Sequence, residues 1–163
     1  MEKLSYPKHK IKILLLENVH PDAKEMFAND GFDVEFHTGA MDEEELCEKI
    51  KNVHVLGIRS KTNVTSKVLE NANKLMAIGA FCIGTNQINL DVALQKGIAV
   101  FNAPYSNTRS VVELAIGEIV LLLRNLPDKI ASMHQGKWDK SATNAYEVRS
   151  KKLGIIGLSL IHI

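Results

Sequence analysis

Cysteine is scarce. The 163-residue chain has only Cys47 and Cys82, too few for a disulfide framework, and a reducing cytoplasm is the expected setting. An excess of one charge is also missing: 20 Lys and Arg face 19 Asp and Glu, a net charge of +1. That balance leaves no electrostatic footprint for nucleic acid or an anionic membrane, and neither is expected as a partner. No apolar run reaches the roughly eighteen residues of a membrane-crossing helix. The first apolar stretch, IKILLL (11–16), is short and lacks a small-residue cleavage site, so no signal peptide is expected. The six histidines, His9, His20, His37, His54, His134 and His162, lie singly, without the paired spacing of a metal-binding helix or finger, and no metal is expected. No repeat of fixed period and no low-complexity segment occurs. What remains is an ordinary folding composition, 45% hydrophobic and 24% charged, long enough to bury a core.

Strand and helix signals alternate along the first hundred residues. IKILLL reads as a buried strand. Pro21 then stands at a first helical position with Asp22 beside it, and Gly31 where a left-handed closing residue is wanted, so a helix is expected over about 21–30. FDVEFH (32–37) alternates apolar and polar, as a half-buried strand does. Asp42 with Glu45 three residues on has capping-box spacing, for a helix running to about Lys51. VHVLGI (53–58), LMAIG (75–79) and IAVF (98–101) read as further strands. Thr65 can cap a helix through Ala72, and LDVALQK (90–96) is a short helix closed by Gly97. This rhythm demands crossovers and parallel strands, hence an α/β sheet.

The pattern then changes. SVVELAIGEIVLLLR (110–124) is a long helix, with Ser110 and Glu113 as a second capping box. It is apolar nearly all round, so burial on more than one side is expected, as at a junction between domains. Pro127 breaks it, a second helix ends at Gly136, and Trp138 is expected as a packing anchor. KLGIIG (152–157) reads as the first strand of a second domain.

Open parallel sheets bind ligands beyond the carboxyl ends of their strands. Three loops there carry chemistry. Arg59-Ser60-Lys61 places two cations around a hydroxyl; Arg offers a planar fork and Lys a point charge, which together suit phosphate or carboxylate. A solvated basic turn is the plain alternative. The loop 80–86 contains Gly84, where backbone could approach a ligand closely, or which is simply a tight turn. The segment 102–110 leads into a helix N-terminus, which attracts anions or is merely capped by Ser106, Asn107 or Ser110. Cys82 has no activating base nearby in sequence and is expected as an inert core thiol. After Gly157 the dinucleotide spacing G-x-G-x-x-G fails, because Ser159 and His162 occupy its second and third glycine places.

The stretches GIRSKTNVT (57–65), AIGAFCIGTNQINLD (77–91), GIAVFNAPYSNTRSVVELAIGEIVLLLR (97–124) and KKLGIIG (151–157) resemble the D-isomer-specific 2-hydroxyacid dehydrogenases. The likeness is greatest to their serine-pathway branch, which acts on 3-phosphoglycerate, in its longer bacterial form. The resemblance implies a substrate domain with a flavodoxin-like parallel sheet, completed by a helix returning from the far end, and an inserted Rossmann domain that binds NAD. It implies a substrate-binding domain over 1–106, then an interdomain helix and the first strand of the NAD-binding domain over 107–157. By position, Arg59, Ser60 and Lys61 match the loop that holds the substrate phosphate, with Lys61 where relatives often carry Arg. Ile83 and Gly84 match the loop facing the substrate carboxylate and the nicotinamide. Asn107 matches a substrate contact, and Gly157 the first glycine of the cofactor fingerprint. The family's catalytic Arg and His–Glu pair lie further on than these residues, so this chain alone is expected to be inactive. The parent protein is expected to be a cytoplasmic homo-oligomer.

Two other readings stay open. One is a 2-hydroxyacid dehydrogenase with an unphosphorylated substrate, against which Arg59 and Lys61 argue. The other is a stand-alone anion-binding module. Residues 158–163, LSLIHI, depart abruptly from the family pattern and read as the translation of a transposon end used to tag sequencing libraries. A non-native tail is expected there, with a natural frameshift as the alternative.

Overall fold

A computed structural model describes residues 6–156. Its first element is a short 3-10 turn, Lys8–Lys10. Then come β1 (Lys12–Leu15), α1 (Pro21–Asn29), β2 (Asp33–Phe36), α2 (Glu43–Lys49), a 3-10 turn at Ile50–Asn52, β3 (Val55–Ile58), α3 (Ser66–Asn71), β4 (Ala77–Ala80), α4 (Leu90–Gln95) and β5 (Ala99–Asn102). The five strands form one parallel sheet in the order β2-β1-β3-β4-β5. This is the flavodoxin-like order, and it reverses between β1 and β3. Local chemistry sets the element ends. The Asp42 carboxylate accepts from the Glu45 N–H at 2.8 Å, the Thr65 hydroxyl from Val68 N–H and the Asn89 amide oxygen from Val92 N–H. Each cap satisfies a donor that the helix itself leaves orphaned. Gly97 closes α4 at φ +68°, where a side chain would be strained.

Side chains alternate across the strands, and this divides the core. Leu14, Leu56, Ile58 and Ile78 face Leu46, Ile50, Val68, Leu69 and Ala93, and all are buried in one cluster. Burying each of the larger side chains contributes about 1.5–3 kcal/mol. On the opposite face the register aligns Phe36, Leu15, Gly57, Gly79 and Phe101 in one row across all five strands. Leu15 is buried there, and the exposed Phe81 ring lies across the two glycines.

The chain divides into two compact units, Met1–Asn107 and Thr108–Ile163. In the second, α5 spans Thr108–Leu123 and α6 spans Leu126–His134. Left-handed Asn125 turns the chain between them, and its amide donates to the carbonyls of Thr143 and Asn144. Four expectations fail in this unit. The helix α5 starts two residues before Ser110, so Ser110 lies inside it. Glu113 pairs with Arg109 one turn back at 3.5 Å rather than closing a capping box. No residue of α5 is fully buried, because the described residues of this unit give it only α6 and irregular chain to pack on. Trp138 is 72% exposed and anchors nothing. Residues 152–156 are irregular rather than a strand, since an extended segment needs a neighbouring strand to take its backbone bonds. Gly157 and the expected tail lie outside the described residues.

Candidate functional site

The carboxyl ends of β1 and β3 flank the point where strand order reverses. A cavity of about 420 Å³ opens there, lined by residues 17–18, 38–40 and 59–61. Two non-glycine residues in left-handed conformation, Glu17 (φ +61°) and Asn18 (φ +51°), end β1. Their N–H groups turn aside to the carbonyls of Gly39 and His37, which directs the Glu17 side chain to the turn after β3. There its carboxylate is buried and accepts three backbone N–H groups: Arg59 at 3.1 Å, Lys61 at 2.9 Å and Thr62 at 2.9 Å. Burial pushes the Glu17 carboxyl upward, but the N–H groups of Thr62, Lys61 and Arg59 outweigh it and hold the group below the ordinary carboxylate range.

The same turn is held from its other side. Buried Gln87 donates its side-chain amide to the Arg59 carbonyl at 2.7 Å and to the Gly84 carbonyl at 3.3 Å. The Cys82 thiol, half-buried at the core's edge rather than inside it, donates to the same two carbonyls at 3.5 and 3.2 Å. The end of β5 fixes the loop further: Asn102 donates to the Ile83 carbonyl at 2.8 Å, and the Ala103 N–H to that of Cys82 at 3.0 Å. Three successive β–α connections are therefore bonded into one rim.

Arg59, Ser60 and Lys61 stand together at this rim with exposed side chains. Among the described residues, neither cation forms an ion pair. Gly84 lines a separate, open depression with Thr85 and Asn86, and is linked to the first cavity through Gln87 and Cys82. A Cβ on Gly84 would stand 2.8 Å from the Asn86 side-chain oxygen, the far end of an exposed side chain that can swing aside, so the turn itself does not demand glycine. Asn107 lies in the exposed turn before α5 and lines neither cavity. Among the described residues, no cluster of His, Cys, Asp and Glu is placed to hold a metal. Sequence reasoning missed the roles of Glu17 and Gln87. The available signal was a lone acid directly after a buried strand, whose carboxylate must find donors if it folds inward.

The arrangement can hold a small multiply charged anion: two cations without an ion pair among the described residues, and a hydroxyl, stand over a cavity whose own carboxylate stays charged but is already engaged by three backbone donors. Residues 13–153 match the D-isomer specific 2-hydroxyacid dehydrogenase family, catalytic domain. The chain is 54% identical over 158 residues to the D-3-phosphoglycerate dehydrogenase of Escherichia coli (strain K12), covering 96% of this chain and 38% of that protein. It is 56% identical over 147 residues to D-3-phosphoglycerate dehydrogenase 2 of Saccharomyces cerevisiae, covering 90% and 31%. The solved D-lactate dehydrogenase from Aquifex aeolicus, complexed with NAD and lactic acid, shares the fold with a TM-score of 0.77 at 21% identity, covering 91% of this chain and 45% of that one. The chain thus spans less than two fifths of the length of these sequence relatives.

Proposed function

The chain belongs to the D-isomer specific 2-hydroxyacid dehydrogenase family, and from that premise we propose that it is the substrate-holding, amino-terminal part of a D-3-phosphoglycerate dehydrogenase. The whole protein would oxidise the C2 hydroxyl of 3-phospho-D-glycerate to the ketone of 3-phosphohydroxypyruvate, with NAD as hydride acceptor, as a step toward L-serine in the cytoplasm. In that reading the first unit is the substrate domain, the second opens the NAD-binding domain, and the parent assembles as a homo-oligomer. The observation that carries the reading is the pair of unpaired cations, Arg59 and Lys61, over the cavity at the β1–β3 reversal. Arg59 and Lys61 would share the phosphate and Ser60 would donate its hydroxyl. The backbone near Ile83 and Gly84 would face the carboxylate, and the Asn107 amide would take a remaining substrate oxygen. Such multipoint binding fixes the C2 carbon before any chemistry, which is the entropic share of the rate.

Among the described residues no strand–glycine turn–helix unit cradles a pyrophosphate, since 152–156 is irregular. Their part would then be to hold the acid and, at Ile83, to face the nicotinamide, while Gly157 would belong to a cofactor site completed by the rest of the parent protein. The base that takes the hydroxyl proton likewise lies outside them, and the chain alone would not turn over.

The test uses the whole parent protein and follows NADH formation with 3-phosphoglycerate and with D-lactate. The phosphorylated acid should be strongly preferred. Each charge-assisted bond contributes about 1.5–3 kcal/mol, so Arg59→Gln with Lys61→Gln should raise KM for it about a hundred-fold or more while leaving D-lactate turnover in place. A double variant that kept the preference would end the assignment.

A further inference from the structure

We propose that Glu17 and Gln87 are positioning residues for the anion site: they grip the backbone of Arg59 from its two sides and hold the turn 59–62 in the shape that keeps Arg59 and Lys61 over the cavity. The inference deepens the phosphate reading above and rests on it.

Arg59 is the only residue of the turn held at both of its backbone groups by side chains among the described residues. Its N–H is taken by Glu17 at 3.1 Å and its carbonyl by Gln87 at 2.7 Å. Glu17 also takes the N–H groups of Lys61 and Thr62, so one carboxylate fixes three peptide planes of a four-residue turn. The turn needs such fixing. It carries two cations one residue apart, which repel each other and gain freedom if the backbone loosens.

The placement of Glu17 is costly. Its carboxylate is buried, its backbone is left-handed at φ +61°, and among the described residues it forms no ion pair. A negative charge lining the cavity also works against a bound anion. Direct ligand contact therefore cannot be its purpose, whereas holding the turn accounts for both costs. A corollary is that the inward N–H groups of the turn are already occupied. The anion is then left to the Arg59 and Lys61 side chains and to Ser60, and not to those three amides.

The test uses the full chain, titrated separately with 3-phospho-D-glycerate and with inorganic phosphate, and followed by NMR and amide hydrogen exchange. In the wild type, either probe should move the side-chain signals of Arg59 and Lys61 and leave the amides of Arg59, Lys61 and Thr62 in place. Glu17→Gln keeps the size but turns an amide donor toward backbone donors. It should weaken 3-phosphoglycerate binding about ten-fold or more, by the worth of hydrogen bonds to a charged group. Exchange protection should be lost at residues 59–62 and kept in β3 and β4. Glu17→Asp, with the charge restored on a shorter arm, should regain part of the affinity. Gln87→Met removes the neutral bonds to the Arg59 and Gly84 carbonyls; it should lower affinity about three-fold or more and loosen residues 82–86, and it decides the matter if Glu17→Gln does not fold.

The role is overturned if Glu17→Gln keeps its affinity within about two-fold. It is overturned equally if protection falls throughout the sheet, the mark of a merely structural residue, or if phosphate displaces the carboxylate and shifts the three amides. Should the wild type bind neither probe, the phosphate reading falls by itself. Exchange then decides the positioning role, which stands only if the loss is confined to residues 59–62 and 82–86.

Discussion

Replacing Gly57 by alanine should destabilise the first unit, while the same change at its register partner Gly79 should not. A Cβ at position 57 would lie 2.5 Å from the Leu15 Cδ2 atom and 3.0 Å from the Phe81 ring. Carbon contacts settle at about 3.5–4.0 Å, so Leu15 must retreat by about 1 Å. It has little room to do so, being 1% exposed between two strands. Overpacking of this kind costs about 1–3 kcal/mol. Against it stands about 0.5–1 kcal/mol gained by removing a glycine from a strand. The net loss is about 1 kcal/mol, or about 4–8 °C in Tm for a unit of this size. At Gly79 the nearest atom is the Phe81 ring at 3.4 Å, an ordinary contact with a ring that can turn outward, so Gly79→Ala should be neutral or stabilising by up to about 1 kcal/mol. Thermal and urea unfolding of the full chain followed by circular dichroism reads both changes. A double-mutant cycle sharpens the test: in a Leu15→Ala background the cost of Gly57→Ala should vanish. Equal losses at the two glycines, or a cost that survives Leu15→Ala, would refute the reasoning.

Further outcomes follow from other features. The Glu17 carboxyl sits below its ordinary value of 4.5 when folded; its contribution to stability is therefore complete above that value and is lost as pH falls through the depressed folded value. Urea midpoints measured down the acid range should fall there, and Glu17→Gln should flatten that fall. Gln87→Met leaves the Arg59 and Gly84 carbonyls short of a donor and should cost about 1–3 kcal/mol in urea unfolding. Leu114 and Leu122 on α5 are 63% and 67% exposed, and large exposed apolar patches associate. Replacing both by lysine should shift the isolated chain toward monomer on size exclusion, and an unchanged elution profile would count against that role for α5.

Much of the first unit was legible in the sequence because its signals are local. Pro21, Asp42, Thr65 and Gly97 act on neighbours within one helical turn, and the structure uses each as expected. Strand edges moved by a residue or two. Leu75, for example, is buried before the ladder begins at Ala77 and so looks like strand without pairing. The cationic turn was legible because Arg59, Ser60 and Lys61 are contiguous. Its supports were not. Glu17 reaches Lys61 across 44 positions and Gln87 reaches Arg59 across 28, and no short-range pattern encodes such bonds. The left-handed backbone at Glu17 was equally hidden, since glutamate has no preference for it. KLGIIG failed for the converse reason: its apolar run is real, but strandness is a property of a pair.

The reach of Glu17 has a consequence for how preferences could change within this fold. Glu17 is one of eight residues lining the cavity, and it ties the backbone of the turn at three points, so this wall is braced from within the protein. In the proposed reading, discrimination of the phosphate would then fall to the solvent-facing heads of residues 59–61. Those heads make no bond to the brace, so they could be exchanged one at a time while the scaffold beneath stays the same.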